Sequence, residues 1–442
     1  MNWKNSSLAS MANTLYKSIR FHDFFKSHFK FAMQCSIRKA RKKQKRRIEL
    51  ISQKKKIKVA FMFQTPAVWK YDRLYRLMEN SDVFDPIVVL TPYNVNLFYD
   101  RAETMRVMEQ SALYVEKNQY RFISAYDTEA KRWVDVKKLI DPDVVFFSKP
   151  YKDTLYQYHI YNFTDRLTCY APYGFFISNH YRENSNFPFH NLLWQFFAET
   201  EYLKEVSEEH AVVKGENISI TGCLPMENLM RKDYTPKDVW KPQQKPKKRV
   251  IWAPHHTVDY LFEFSNFMTY AADMVELAKK YQDSIQFAFK PHPVLKFRLI
   301  NIWGEQKTEE YYKLWETMPN TQLETGDYID LFLTSDALIH DSGSFMLEYL
   351  HIPQNPVLYL IRDEATLYSN LNPFSTKAVK KHYHAYQLDQ IEDFINRVVI
   401  GGDDTMRPER EQFCTDYLFP KDGVMPSQKV MDILATTLKN QQ

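Results

Sequence analysis

Three short motifs in the C-terminal half of this 442-residue chain carry the residue types needed to grip a diphosphate. They are His255-His256 within Trp252-Ala253-Pro254-His255-His256-Thr257, then Lys290-Pro291-His292-Pro293, then Asp341-Ser342-Gly343-Ser344 with Glu348 one turn beyond. Each follows a short apolar run. In open parallel sheets, ligands bind just past the carboxyl ends of strands, where helix starts offer backbone N–H groups to anions. In the third motif Gly343 permits close backbone approach, the hydroxyls of Ser342 and Ser344 can donate, and a helix beginning near Ser344 adds partial positive charge. Glu348 can accept from ribose hydroxyls. A plain helix cap by Asp341 or Ser342 is the competing reading, and the nearby histidine motifs weigh against it. Two prolines hold Lys290 and His292 extended, so Lys290 is expected to neutralise phosphate charge and His292 to contact the diphosphate or the leaving phosphate. His255 and His256 are adjacent on an extended segment and are expected to point in opposite directions, so that at most one of them serves the site.

These motifs need strands to end on and helices to start. From residue 57 short β-branched or aromatic runs alternate with helical segments: 57–63, 86–90, 143–147, 167–170 and 218–221 read as buried parallel strands. A second series, at 250–253, 285–289, 337–340 and 357–360, follows a proline-broken, lysine-rich stretch. Length and pattern predict an α/β protein of two Rossmann-like domains facing a central cleft, with a basic N-terminal helical arm. The expected parts are a basic amphipathic membrane-association arm at 1–56, an acceptor domain at 57–235, a linker at 236–248, a nucleotide (donor) binding domain at 249–400, and helices at 401–442 packing back on the first domain.

The net charge of +5 conceals an asymmetry. Residues 1–58 hold 17 Lys and Arg against Asp23 and Glu49, whereas the remainder is acidic by ten charges. Phe21, Phe24, Phe25 and Phe29 recur at helical spacing among Lys17, Arg20, Lys26 and Lys30, followed by Arg41-Lys42-Lys43-Gln44-Lys45-Arg46-Arg47. That pattern fits an interfacial helix and polybasic segment, so residues 15–58 are expected to meet an anionic membrane surface. No recognisable nucleic-acid-binding module accompanies the charge. The four cysteines lie far apart, without metal-ligand spacing, as expected of reduced thiols in a cytoplasmic protein peripheral to the inner face of the cell membrane. No run approaches the roughly 20 apolar residues of a spanning helix. No carboxylate cluster compels a metal site, although a diphosphate donor commonly brings Mg²⁺ with it.

Lys290-Pro291-His292-Pro293 after a strand, with Asp341-Ser342-Gly343-Ser344 some fifty residues on and Glu348 beyond, resembles the CDP-glycerol glycerophosphotransferase family of teichoic acid and capsule synthesis. The resemblance covers Val250 to Leu360, with weaker support from Thr221-Gly222-Cys223-Leu224-Pro225. It implies a GT-B fold, a CDP-glycerol or similar alditol donor, transfer of glycerol phosphate to a hydroxyl of a membrane-associated polysaccharide or lipid-linked acceptor, and release of CMP. His292 then matches the essential histidine of the family's H-P motif, Ser342 and Ser344 the hydroxyls on the donor diphosphate, and Glu348 a ribose-binding position. The family's first-domain H-G-T motif is replaced by Tyr170-Ala171-Pro172-Tyr173-Gly174-Phe175, so that either another residue, such as His180, His255 or His256, removes the proton, or this chain transfers a different group. Two other readings stand beside this one. One is a nucleotide-sugar enzyme of the same fold, either a glycosyltransferase or similar to UDP-N-acetylglucosamine 2-epimerase; the other is a non-catalytic polysaccharide-assembly protein.

Overall fold

The computed structural model describes residues 30–94, 100–258 and 264–439. Contacts divide the chain into two compact units. One holds the described residues up to Ala171, Tyr181–Ile220 and the chain from Val430; the other holds Pro172–His180 and Thr221–Lys429.

The first unit is built on a parallel sheet of β1 (Ile57–Phe63), β2 (Phe84–Leu90), β3 (Phe122–Ser124), β4 (Val144–Phe147), β5 (Leu167–Tyr170), β6 (Gln195–Ala198) and β7 (Ile218–Ile220). Their order is β3-β2-β1-β4-β5-β6-β7. The central strands are apolar at nearly every position because helices cover both faces; β4 and β5 are buried throughout. The chain reverses its direction of travel across the sheet between β1 and β4, which makes that gap the sheet's switch point.

The second unit repeats the plan with β8 (Lys248–Ala253), β9 (Ile285–Phe289), β10 (Thr321–Leu323), β11 (Ala337–His340), β12 (Val357–Leu360) and β13 (Tyr383–Ala385), ordered β10-β9-β8-β11-β12-β13. Its switch point lies between β8 and β11. Under the sheet Trp252 packs on Phe289, with ring centroids 4.9 Å apart, and on Trp315 at 5.2 Å. This aromatic block fixes the height at which β8 and β9 end. The α/β class with two Rossmann-like parallel sheets is as the sequence predicts.

Several expected boundaries shift. Residues 30–51 are not a free arm but a helix of the first unit. Met33, Ile37, Ala40, Gln44 and Ile51 form its buried stripe, at helical spacing, and Gln44 Nε2 donates to Leu192 O at 3.4 Å. Its other face carries exposed Arg38, Lys39, Lys42, Lys43 and Arg46. Phe21, Phe24, Phe25 and Phe29 lie outside the described residues. The 236–248 stretch is no loose linker: Trp240 is buried with Nε1 donating to Thr334 Oγ1 at 3.0 Å, and Lys241 N donates to Gln322 Oε1 at 2.8 Å. Of 401–442, the helix Arg407–Phe413 stays with the second unit, where buried Arg410 pairs with Asp404 and donates to Pro353 O at 3.1 Å. Only the chain from Val430 belongs to the first unit.

The N-terminal helix is held by a buried anion. Asp143, at the entrance to β4, is fully buried and takes Lys54 Nζ at 2.7 Å, Arg47 Nη2 at 2.8 Å and the backbone N–H of Lys58 at 3.0 Å. Two cations and an N–H compensate one carboxylate, so removing the carboxylate strands them. Asp143→Ala is expected to lower unfolding free energy by about 3–5 kcal/mol in denaturant titrations; a loss below about 1 kcal/mol refutes this anchoring.

Candidate active site

The loops that follow β8, β9 and β11 are brought together by hydrogen bonds running past the ends of the strands. Lys290 N donates to Trp252 O at 2.8 Å, and His292 N donates to Pro254 O at 3.1 Å, so the pairing of β8 with β9 continues into both motifs. His255 and His256 therefore lie beside His292. The ring centroids of His256 and His292 are 4.2 Å apart, those of His255 and His292 5.4 Å, and those of His255 and His256 4.2 Å. The expectation that the two adjacent histidines diverge fails here because the strand ends at Ala253: alternation holds on an extended strand, and the loop beyond it bends.

Burial sets the charge of these rings. It lowers His255 to about 2, helped by the neighbouring charges of His256 and His292, and lowers His292 to about 3, helped by His256, Arg298 and Lys290. Both are neutral near pH 7. His292 Nδ1 accepts from the Val294 backbone N–H at 3.2 Å, which places the proton of the neutral ring on Nε2. His255 Nδ1 lies 3.0 Å from Thr257 Oγ1, which fixes its rotation. One ring nitrogen from each of the three histidines lies within 4.8 Å of the other two. Imidazoles alone do not match the oxygen shell that Mg²⁺ requires, so the ion does not fit this cluster.

Asp341 serves these loops rather than presenting a free carboxylate. It is fully buried; Oδ1 accepts from His255 N at 2.6 Å, and Oδ2 accepts from the backbone N–H of Asn266 and from Asn266 Nδ2 at 3.4 Å. Asn266 Nδ2 also reaches Leu360 O at 3.0 Å. Burial raises the Asp341 carboxyl to about 7, and the bonds from Asn266 and His255 pull the other way.

Beyond Asp341, Ser342 is buried and Ser344 half-buried. The helix there is one turn, Phe345–Glu348, followed by a 3-10 turn at Tyr349–His351, so its dipole is smaller than a long helix would give. A Cβ on Gly343 would sit 2.7 Å from the tip of Ile177, Cδ1, which would have to turn aside. Glu348 is buried and raised to about 7 by desolvation, against hydrogen bonds from Tyr328 and Ser344. Its Oε2 has no partner among the described residues. Lys290 is turned toward the loop after β10, where Nζ donates to Gly326 O at 2.6 Å near Glu324 and Asp327.

The sequence reading missed a strap. Pro172–His180 leaves β5 and belongs to the second unit. Asn372 holds it, with Nδ2 donating to Phe176 O at 2.8 Å and N donating to Ile177 O at 2.9 Å. A Cβ on Gly174 would lie 3.5 Å from Glu348 Oε1, so the strap crosses directly over that carboxylate. Tyr173, which precedes Gly174 as histidine precedes glycine in H-G-T, is exposed on this strap. His180 lies at the far end, where neighbouring Asn179 N donates to Asn370 O at 3.2 Å, and it is not part of the histidine cluster. Asn266, Tyr328 and Asn372 were also missed. Their roles come from contacts across large sequence separations, and no local spacing signals them.

Residues 196–434, more than half of the chain, match the model of the CDP-glycerol:poly(glycerophosphate) glycerophosphotransferase family. The chain belongs to this family. As a member glycerophosphotransferase it is an enzyme, and its solved structural relatives share the GT-B fold. A histidine-to-asparagine variant of the wall teichoic acid polymerase TagF superposes with a TM-score of 0.57 at 13% identity, covering 93% of this chain and 98% of that one. A UDP-N-acetylglucosamine 2-epimerase superposes at 0.54 with 15% identity, covering 87% and 96%. The UDP-GlcNAc 2-epimerase of Neisseria meningitidis, bound to UDP-GlcNAc, superposes at 0.52 with 13% identity, covering 87% and 99%. No curated protein matches this glycerophosphotransferase significantly.

Asp341→Asn retains shape but replaces one accepting oxygen with a donor facing an N–H, at a cost of about 1–3 kcal/mol. The Asp341 pKa is raised in the fold, so its linkage contribution is fully present below the unfolded carboxylate range and is lost as pH rises through about 7. The penalty of Asp341→Asn, measured by urea unfolding, is therefore expected to be larger at pH 5.5 than at pH 8; a constant or reversed difference refutes the assignment.

Proposed function

We propose that this glycerophosphotransferase moves glycerol phosphate, or a related alditol phosphate, from a CDP-activated donor to a hydroxyl of a membrane-associated glycan or lipid-linked acceptor. CMP is released, and the product is a teichoic acid-like or capsule polysaccharide. The observation that carries this reading is the neutral His292, its ring proton on Nε2, in one cluster with the loop braced by Asp341. A hydrogen-bond donor aimed at a leaving phosphate stabilises charge as it develops.

In the proposed step the acceptor oxygen attacks the phosphorus that bears the glycerol. The bond from that phosphorus to the bridging oxygen breaks, and its electron pair leaves on CMP. His292 Nε2–H and the hydroxyls of Ser342 and Ser344 meet the departing phosphate, and the unpartnered Oε2 of Glu348 accepts from a ribose hydroxyl. His255 or His256 takes the acceptor's proton. Burial makes His255 a weak base at rest, but a bound diphosphate places opposite charge within about 4–6 Å and restores proton affinity. Lys290 contributes long-range positive charge from its place at Gly326. Any Mg²⁺ would have to arrive with the donor and would neutralise diphosphate charge, because the histidine cluster offers it no oxygen ligands. Alignment and charge stabilisation dominate such transfers.

Among the described residues no helix is long and apolar enough to cross a membrane. The exposed basic face of residues 30–51 supports residence of the enzyme at the anionic inner face of the cell membrane, from the cytoplasmic side. Each cation near such a surface contributes about 1 kcal/mol. Lys42→Glu, Lys43→Glu and Arg46→Glu together are expected to weaken sedimentation with phosphatidylserine vesicles by at least about a hundredfold, and raised salt to weaken the wild type in the same direction. Binding equal to wild type removes this face from the membrane reading.

Chromatography of nucleotides after incubation with CDP-glycerol tests the transfer. His292→Ala is expected to lower CMP release by about 10²–10³-fold with an unchanged melting temperature, the loss typical of one such donor. Full activity in the folded variant discards the mechanism; turnover of UDP-N-acetylglucosamine in place of CDP-glycerol discards the donor.

A further inference from the structure

The loops after β8 and β9 carry three imidazoles toward one point. His255, His256 and His292 each bring a ring nitrogen within 4.8 Å of the other two, and the planes of the paired rings are inclined by 33°, 53° and 65°, so the three do not form a parallel stack. Around a tetrahedral ion with bonds of about 2.0–2.1 Å, ligand nitrogens stand about 3.4 Å apart, so closing any pair to that size takes no more than about 1.4 Å of movement.

The backbone beneath these rings is already braced. His255 N donates to Asp341 Oδ1 at 2.6 Å, His292 N donates to Pro254 O at 3.1 Å, and Leu295 N donates to His292 O at 2.8 Å. A second layer holds one ring: His255 Nδ1 lies 3.0 Å from Thr257 Oγ1, and Thr257, itself buried, accepts there from Ser265 N at 3.2 Å. With Nδ1–H donating to that oxygen, His255 Nε2 presents its lone pair, which is how outer partners orient metal-bound histidines. His292 gives up one bond to join, that from Val294 N–H to its Nδ1, since either ring nitrogen coordinates only with that N–H released.

Ligand type selects the ion. The cluster offers nitrogen alone, which suits Zn²⁺ and its neighbours Co²⁺ and Ni²⁺ and is a poor match for Mg²⁺ or Ca²⁺. Three protein ligands leave a fourth position, and the nearby charges of Lys290 and Arg298 favour an anion there. The geometry points to a binding site for a divalent cation of the Zn²⁺ class on His255, His256 and His292, whose occupancy stops the transfer. The ion takes ring nitrogens that would otherwise donate to the leaving phosphate and accept the acceptor's proton. The block rests on the transfer reading, while the metal site stands on the second unit alone.

The test is titration of the metal-free full chain with Co²⁺, whose visible absorption intensifies in a four-coordinate nitrogen site. A band is expected that saturates at one ion per chain, is displaced by Zn²⁺ and is unmoved by about a hundredfold excess of Mg²⁺. His255→Ala and His256→Ala are each expected to abolish it, with the melting temperature of the metal-free chain unchanged, and Thr257→Val to weaken Co²⁺ binding about tenfold. Zn²⁺ is expected to lower CMP release from CDP-glycerol at least about tenfold, with half of the loss at the concentration that displaces Co²⁺ whatever the donor concentration, and chelation is expected to restore it. No band, or a band retained in both folded histidine variants, marks an adventitious ion only and overturns the site. Full CMP release at saturating Zn²⁺ overturns the block. A band in a chain that releases no CMP even without metal refutes the transfer reading and leaves the metal site standing.

Discussion

A carboxylate sealed from water orders the second unit. Asp341 sits at the carboxyl end of β11, and its charged form is costly there unless donors surround it. The donors that answer are backbone N–H groups of His255 and Asn266, from segments 86 and 75 residues away in sequence. Satisfying one buried group thus draws in the loop after β8 and the start of the helix Phe267–Lys280. Because His292 N is bonded to Pro254 O, the loop after β9 follows. The histidine cluster is a consequence of this bracing, and a residue that looks like a ligand contact in sequence acts as the pin of the site.

The two sheets share one plan. In each, the first strand is central, two strands extend one way and the remainder the other, so each has one gap where successive loops diverge. In the second sheet the loops flanking the gap carry His255, His256 and the Asp341 turn. In the first they carry Gln64, Lys149 and an aromatic-walled hollow. The chemistry differs while the backbone logic does not, since a parallel sheet covered on both faces leaves only its strand ends for polar work.

How much of this was legible follows from physics acting at different ranges. Strands such as Ile57–Phe63, Ile285–Phe289 and Ala337–His340 are readable because burial on both faces demands continuous apolar runs. β3, β6, β10 and β13 escape such a reading because Ser124, Gln195, Gln322 and His384 interrupt their apolar residues. The motifs around His292 and Ser342 are readable because prolines and glycine restrict the backbone locally. The orientation of His256, the turn of Lys290 toward Gly326, and the crossing of Gly174 over Glu348 were not readable. Each depends on a partner far away in sequence.

Composition marks residue 57 as the natural first residue of the folded body, because the strongly basic stretch ends there and β1 begins. The contacts of Asp143 put the boundary elsewhere. A shortened form starting at β1 would keep every strand yet lose Arg47 and Lys54 together, leaving a sealed negative charge with only the Lys58 N–H against it. It would also uncover the groove that Met33, Ile37 and Ile51 fill. A trimmed protein that retains its architecture must therefore begin upstream of Met33, and failure of shorter versions to stay in solution would reflect lost packing rather than lost membrane affinity.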